Sequence, residues 1–522
     1  MTGNATSGLR HASLQPQERN ALLLPVVLSE QIVAGSFAFA LDYLVDHELD
    51  LSELDARFNN DEVGASAYDP RAMLKIVLLG YSQGLISSRA IERACLHNVQ
   101  FIAISGDSQP SHAHIAKFVS SLGEQIKTLF SQLLMTCDAQ GLIGREMFAI
   151  DGVKLPSNAS KERSGTHEEL RHRADRLDKA AAKIVELHRW QDSQTAEPPP
   201  QAKRQARIDA LRQEAQRTRE FLASNGKRLN RKGHELKTNV TDSDSAKMAT
   251  NKGVIQGYAA QAAVDGAHQI IVAADVIGSG SEQEMLLPMI EQSQTIRTEH
   301  TLITADAGYH SDANVHALMT QGIPALIADN QMRQRDERFV DQGKHKVKDD
   351  PLYDKRPAAQ AGQARPIKLF KPTDFKFNDH DNTMTCPAGK TLLSTGAIHT
   401  VGKGLRREDF KAKAGDCAGC ALRVRCLRRA DRTSRRKVVR YHPRQIDPDD
   451  PSQRMRQAID SARGRELYSQ RLGAVEPVFA NIRYNKRMSR FNLRGRDKIN
   501  TQWHLYCMVH NIEKLANSRW MK

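Results

Sequence analysis

No stretch of the 522 residues approaches the ~18 consecutive apolar residues of a membrane-spanning helix, so no such helix is expected. Residues 1–20 also lack the basic start, apolar middle and small-residue cleavage site of a secretory signal, which makes the cytoplasm the expected compartment. Cysteine is scarce and odd in number at seven, and a disulfide framework is not expected in a large intracellular chain. Acid is in deficit: 61 Asp and Glu against 76 Lys and Arg leave a net charge of +15 and a pI near 9.5. That excess is unusual for a metabolic enzyme and favours a polyanionic partner, nucleic acid before a membrane surface. What is present, 40% hydrophobic and 26% charged residues, is the composition of a globular protein, long enough for two to four domains at roughly 100–200 residues each.

The organising stretch is Thr301–Ser311, TLITADAGYHS, where an apolar run ends in Asp306 and then Gly308. This is how a buried strand delivers a carboxylate to its C-terminal edge, where ligand crevices of open α/β sheets lie. The competing reading is that Asp306 caps the helix beginning near Ser311 or Asp312. A second strand of the same kind, Met147–Val153, carries Asp151. Between and around them the spacing predicts a β-hairpin at Asp265-Gly266, a helix from Glu282 to Ser293, a helix from Asp312 to Gly322 and a short strand at 324–327. The order predicts a sheet with an antiparallel and a parallel part.

Earlier, apolar residues recur at helical spacing from Leu22 to Leu142. Within that region Ser87–Leu96, the turn residues 106–110 and a helix after Ser111 suggest a helix-turn-helix-like unit, with Lys117 on the second helix's exposed face. His112 and His114 read as surface residues. A polar excursion at 157–248 carries two heptad-like stripes, Leu170, Leu177, Ile184 and Ile208, Leu211, Ala215, Leu222, broken at Pro198–Pro200, which predicts a helical hairpin with a solvated charged face.

A third acid, Glu476, stands in the helical segment RLGAVEPVFANIR. Two aspartates on adjacent strands and a glutamate from a later helix can hold two divalent ions for in-line phosphodiester displacement, and carboxylate oxygens suit Mg²⁺ or Mn²⁺. Arg471 and Arg483 beside Glu476 would hold phosphates, although Pro477 favours a helix start there. Rival acids read otherwise: Asp265 as the hairpin turn, Asp242 and Asp244 as a polar loop, and Glu466 as lacking the apolar helix that follows Glu476.

The IDG strand with Asp151, the GYAAQAAVD hairpin, the ADAGY strand with Asp306, then Tyr468, Arg471, Glu476 and Arg483, followed by FNLRG and HNIEKL, resemble the DDE transposases of bacterial insertion sequences. The N-terminal DPRAMLKIVLLGYSQGLISSRAIERA looks like that family's DNA-binding region. Four residues rather than the usual three separate Arg471 from Glu476, and arginine stands at 483 where lysine is commoner. The resemblance implies an RNase H-like core, Asp151, Asp306 and Glu476 as ligands of two Mg²⁺ or Mn²⁺ ions, and Tyr468, Arg471 and Arg483 near transposon-end phosphates.

Residues 329–450 lose regularity and hold four of the cysteines, Cys386, Cys417, Cys420 and Cys426, spaced C-x30-C-x2-C-x5-C. The Cys417–Cys420 pair has zinc-like spacing, while the distance to Cys386 and the missing second C-x2-C keep reduced buried thiols as an equal reading. The basic run 423–440, with Arg428, Arg429, Arg435 and Arg436, is a candidate DNA contact.

The expected fold class is multi-domain α+β. Residues 1–20 are a flexible tail, 21–142 an all-α DNA-binding domain, 143–328 and 451–522 an RNase H-like mixed-sheet catalytic core, 157–248 its helical insertion and 329–450 a basic, Cys-containing insertion. The expected function is metal-dependent cleavage and strand transfer on double-stranded DNA, by a homodimer or larger assembly associated with the nucleoid. The alternatives are a DNA-binding protein that has lost catalysis and a nuclease of the same fold that does not join strands.

Overall fold

The computed structural model describes residues 27–57, 67–192, 201–230, 233–250, 253–339, 368–401, 405–442, 450–518 and 520. The expected tail at 1–20 and the proline turn at 198–200 lie outside these residues. Two compact units emerge, Met1–Ile327 with Arg465–Lys522, and Ala328–Gly464. None of the described helices is long and apolar enough to cross a membrane.

The first unit begins with helices α1 (Phe37–Tyr43), α2 (Pro70–Ser82), α3 (Ser88–His97), α4 (Val99–Ser105), α5 (His112–Ser121) and α6 (Gln125–Ala139). Their starts follow local chemistry. Asp69 caps α2 by accepting from the Arg71 N–H, with Pro70 in the first turn where no backbone donor is needed, and Ser87 and Ser111 cap α3 and α5. The expected helix-turn-helix pair is present as α3 and α5, but a third helix, α4, stands between them and ends at left-handed Gly106, φ 59°. His112 Nδ1 lies 3.0 Å from Glu92 Oε2, which ties α5 to α3.

The insertion helices α7 (His167–Asp192) and α8 (Gln201–Ser224) pack on each other through Leu170, Ala174 and Ala181 of one and Ile208 and Ala215 of the other. Small residues alternate with large ones along this seam, which lets the axes approach. Ion pairs from Arg219 to Asp175 and Asp178, 3.1 and 2.5 Å, flank it.

The main sheet holds β1 (Met147–Pro156), β2 (Ala246–Thr250), β3 (Gly253–Asp265), β4 (Ile271–Ile277), β5 (Leu302–Ala305) and β6 (Ala325–Ile327). Its order is β2-β3-β1-β5-β6, with β4 on β3. Strand β3 is antiparallel to β1, β2 and β4, whereas β5 is parallel to β1 and β6 to β5. The Asp265 carboxylate forms the β3–β4 turn by accepting from the N–H groups of Gly144, Arg145, Ala267 and His268 at 2.9–3.2 Å. Helices α9 (Leu286–Gln292) and α10 (Asp312–Thr320) connect the later strands.

Near the C-terminus, α13 (Arg496–Asn517) is buried along most of its length and contacts α1, α2, α5, α6 and β4. It therefore binds the N-terminal helices to the sheet in one unit. The HNIEKL motif explains its docking: Asn511 exchanges hydrogen bonds with the N–H and C=O of Ile271, both 2.9 Å, completing the edge of β4. Trp503 Nε1 donates to the Gln261 carbonyl on β3 at 2.9 Å. The FNLRG segment is a strap: Phe491 N–H donates to the Pro156 carbonyl, Gly495 N–H to Asp242 and Arg496 N–H to Asp244, at 2.9, 3.1 and 2.9 Å.

The second unit contains an antiparallel meander of β7 (Lys376–Asn378), β8 (Thr383–Thr385), β9 (Thr391–Val401), β10 (Leu405–Ala412) and β11 (Lys437–Tyr441). Helix α11 (Pro451–Asp460), expected with the catalytic core, belongs to this unit instead. The reason is ionic: Arg335 bridges Asp329 and Asp460 at 2.7 and 2.6 Å, and Arg456 lies 3.7 Å from Asp329.

Candidate active site

The parallel register sets the site. Ile150 on β1 pairs with Ala305 on β5, so Asp151 and Asp306 follow at the same level on neighbouring chains, within reach of one another. Asp151 lies inside β1 rather than at its end, because β1 runs on against β3 to Pro156 after β5 has finished. Asp306 does not cap α10; that role falls to Ser311, whose side chain accepts from the Asn314 N–H at 3.1 Å. The Asp306 Oδ1 instead accepts from the Gly308 N–H at 2.7 Å, inside the turn of its own motif.

Two glycines make the site possible. Gly152 faces Gln261 of β3, and a Cβ there would stand 2.8 Å from Oε1 and 2.9 Å from Cδ of Gln261. The bare backbone leaves room for the fully buried Gln261 side chain, which accepts from the Tyr309 hydroxyl. Gly308 is the second: a Cβ there would meet Glu282 Oε2 at 2.8 Å and Asp306 Oδ1 at 2.9 Å. Glu282 is thus the acid that the fold brings to the aspartates. Sequence reasoning placed it only at a helix start, and neither a strand end nor an acid spacing marks it.

Electrostatics bind these groups together. Burial pushes the Asp151 carboxyl above the usual range, with Asp306 adding to the shift and Arg471 and the Gly152 N–H opposing it. Glu282 is pushed up to about 7, by burial first and by the charges of Asp306 and Asp151, against the pull of Lys154 and the Gln261 side chain. Arg471 is buried and donates from Nη1 to Asp151 Oδ2 at 2.9 Å, while its Nε has no hydrogen-bond partner. Its guanidinium lies 5.7 Å from the Tyr468 ring centre, and burial pushes the Tyr468 hydroxyl up.

Asp151, Asp306, Tyr468 and Arg471 are therefore gathered in one place, while Glu476 and Arg483 are not. Glu476 is exposed on α12 (Ala462–Ala480). The spacing is the cause: residues five apart on an α-helix point about 140° away from each other, whereas residues four apart share a face. The helix that inserts Arg471 against Asp151 consequently turns Glu476 to solvent. Pro477 does not start this helix but sits inside it, and the Gly473 carbonyl it cannot bond accepts from Gln269 Nε2 at 3.0 Å. Arg483 stands in the irregular turn after α12 with its guanidinium 5.7 Å from the Tyr484 ring, and makes no ion pair with either aspartate.

The remaining candidates separate clearly. Asp242 accepts from the Tyr258 hydroxyl at 2.6 Å and, like Asp244, anchors the 491–496 strap; Glu466 is exposed. Lys117 is exposed on α5, and in the second unit Arg428, Arg429 and Arg435 are exposed. Arg436 turns inward to the carbonyls of Cys426 and Phe370, 2.8 and 3.2 Å, so it serves the fold of that unit rather than its surface.

Three family models match the chain: a Transposase DDE domain over residues 385–516, a second Transposase DDE domain over 208–395, and a Transposase domain (DUF772) over 26–121. No curated protein matches it. Asp306 and Glu282 fall inside the second match and Tyr468, Arg471, Glu476 and Arg483 inside the first, while Asp151 lies outside all three. A mixed α/β chain with paired aspartates and these domains is a transposase of the DDE kind. It belongs to the insertion-sequence DDE transposases, a DNA-binding family whose domains generally use divalent metals such as Mg²⁺.

Proposed function

We propose that the chain cleaves DNA at insertion-sequence ends and joins the freed 3′-hydroxyl to target DNA, with Asp151, Asp306 and Glu282 holding the catalytic cations. The observation that carries this is the β1–β5 register, which sets two aspartates side by side, with Glu282 against the second. An antiparallel part made of β1, β3 and β4 with β2 added on β3, followed by two strands parallel to β1, supports an RNase H-like core.

The donor chemistry suits a hard divalent cation, and among the described residues no three such groups yet stand at metal-binding distance of one point. All three donors are carboxylates, and burial first, with the charges of the neighbouring acids adding to it, raises Asp151 and Glu282 in the free protein, a cost of ionisation that a bound cation would relieve. When bound, two Mg²⁺ or Mn²⁺ ions would activate the attacking oxygen and stabilise the leaving oxygen of an in-line displacement. The protein's own contribution is placement. Gln261 holds Tyr309 and so fixes the ADAGY turn that presents Asp306. Arg471 neutralises Asp151 before DNA arrives and, with its unpartnered Nε, can transfer its donors to a backbone phosphate. Tyr468 lines the same face. Glu476, the acid of the family signature, faces solvent and would join the set only after α12 turns about its axis.

Because two DNA ends must be joined to one target, a dimer or larger assembly forms on DNA. A pre-cleaved end incubated with target DNA tests the function. Joined strands are the expected product; cut strands alone would mean a nuclease, and binding without either product a DNA-binding protein without catalysis.

A further inference from the structure

The second unit has a small core. Its buried cluster is Phe375, Met384, Leu392, Phe410, Ala412 and Val438, and a five-stranded sheet resting on so few side chains calls for a covalent or metal staple. Three cysteines, Cys386, Cys417 and Cys426, pack against this cluster. With Cys420 they line one cavity of about 30 Å³, room for a single small ion or water. The four thiols are separated by as many as 30 intervening residues in sequence, yet the fold of the meander returns Cys386 to the other three.

We infer that Cys386, Cys417, Cys420 and Cys426 form a structural zinc site that holds the second unit together.

Several features favour thiolate ligands over inert buried thiols. The Cys386 segment turns back on itself at left-handed Gly389, φ 75°, and the Lys390 N–H donates to Cys386 Sγ at 3.3 Å, a contact that stabilises negative sulfur. Lys390, Arg423 and Arg436 line the same cavity and would offset the two net negative charges of a zinc tetrathiolate. Arg423 donates to the Cys417 carbonyl at 2.6 Å and Arg436 to that of Cys426 at 2.8 Å, fixing the backbone on both sides of the cluster. All four cysteines are free of disulfides. Among the described residues no three possible ligands already surround one point at binding distance. Zinc at ≈ 2.3 Å from each sulfur would therefore draw the four thiols closer together than they stand in the free protein.

The site also explains the basic run. Arg423 and Arg436 belong to the cluster, while Arg428, Arg429 and Arg435, exposed between and beside them, are carried on the knuckle it would stabilise.

The test is elemental analysis of the full chain, purified without chelators from zinc-supplemented cells, followed by Co²⁺ exchange. The expected result is one zinc per chain, released by a mercurial thiol reagent, and a Co²⁺ form with strong thiolate-to-metal absorption. Cys420→His should keep the metal and move the Co²⁺ bands, while Cys417→Ser should lose at least tenfold in zinc affinity. If Cys417→Ser does not fold, the Co²⁺ spectrum of the unaltered chain still decides. Less than a quarter equivalent of zinc, with no thiolate absorption on adding Co²⁺, would overturn the proposal.

Discussion

Replacing Gly152 by alanine tests whether the site is built on a glycine-sized gap. The added methyl would lie 2.8 Å from Gln261 Oε1 and 2.9 Å from its Cδ, too close for a side chain that is fully buried. Gln261 cannot retreat as a whole, because its own carbonyl accepts from Trp503 Nε1 at 2.9 Å. Its amide must rotate away, leaving the Tyr309 hydroxyl without its acceptor. Overpacking costs about 1–3 kcal/mol and an orphaned buried hydroxyl about 1–3 kcal/mol more, so a loss of roughly 2–6 kcal/mol is expected. Displacing Tyr309 also shifts the turn that carries Asp306, so Mg²⁺-dependent cleavage should fall by at least tenfold. Gly473→Ala on α12 is the control: nothing lies within 4 Å of its missing Cβ, and alanine in a helix should stabilise by about 0.5–1 kcal/mol. Chemical denaturation and cleavage of end-containing DNA measure both effects. A Gly152→Ala protein as stable and as active as the parent would show that Gln261 does not occupy this space.

Other outcomes follow from the same geometry. Glu282→Gln should lower Mn²⁺ affinity, read by titration calorimetry, and cleavage together, whereas Glu476→Gln should leave the Mn²⁺ affinity of the DNA-free protein unchanged; the reverse pattern would place Glu476, not Glu282, beside the aspartates. Burial pushes His510 down to about 4, and its Nε2 lies 2.9 Å from the Gln269 carbonyl. A histidine with a depressed folded pKa contributes stability above about 6.5 that is lost as pH falls toward 4, about 3 kcal/mol in all. His510→Asn should flatten unfolding free energy against pH in that window, and an unchanged slope would contradict the neutral buried form. Neutralising Arg428, Arg429 and Arg435 should reduce the slope of log affinity for DNA against log salt by up to about 0.9 for each DNA phosphate that these side chains neutralise. If the slope stays the same, these exposed arginines face only water.

The sheet was legible because its strands are apolar runs bounded by turn residues, and the Asp265-Gly266 hairpin signal is strong and local. Asp151 and Asp306 were legible for the same reason, each following an apolar run. Glu282 was hidden because its approach to Asp306 depends on the absent side chain of Gly308 and on a loop whose path no periodicity encodes. The outward turn of Glu476 was implicit in its spacing from Arg471, but became meaningful only once Arg471 was seen against Asp151. The return of Cys386 to the other cysteines was invisible for a related reason: strand pairing across a meander, not sequence distance, sets it. Helix α4 between the two expected DNA-binding helices shows the limit of turn signals, since a stretch of seven residues fits a helix or a loop about equally well.

The most direct measurement is cleavage of end-containing DNA in Mg²⁺ by the intact protein and by Asp306→Asn, with DNA binding followed in parallel. The substitution keeps the shape of the side chain and removes its charge. Cleavage lost with binding retained is the predicted result. Equal cleavage by both proteins would contradict a catalytic role for the paired aspartates.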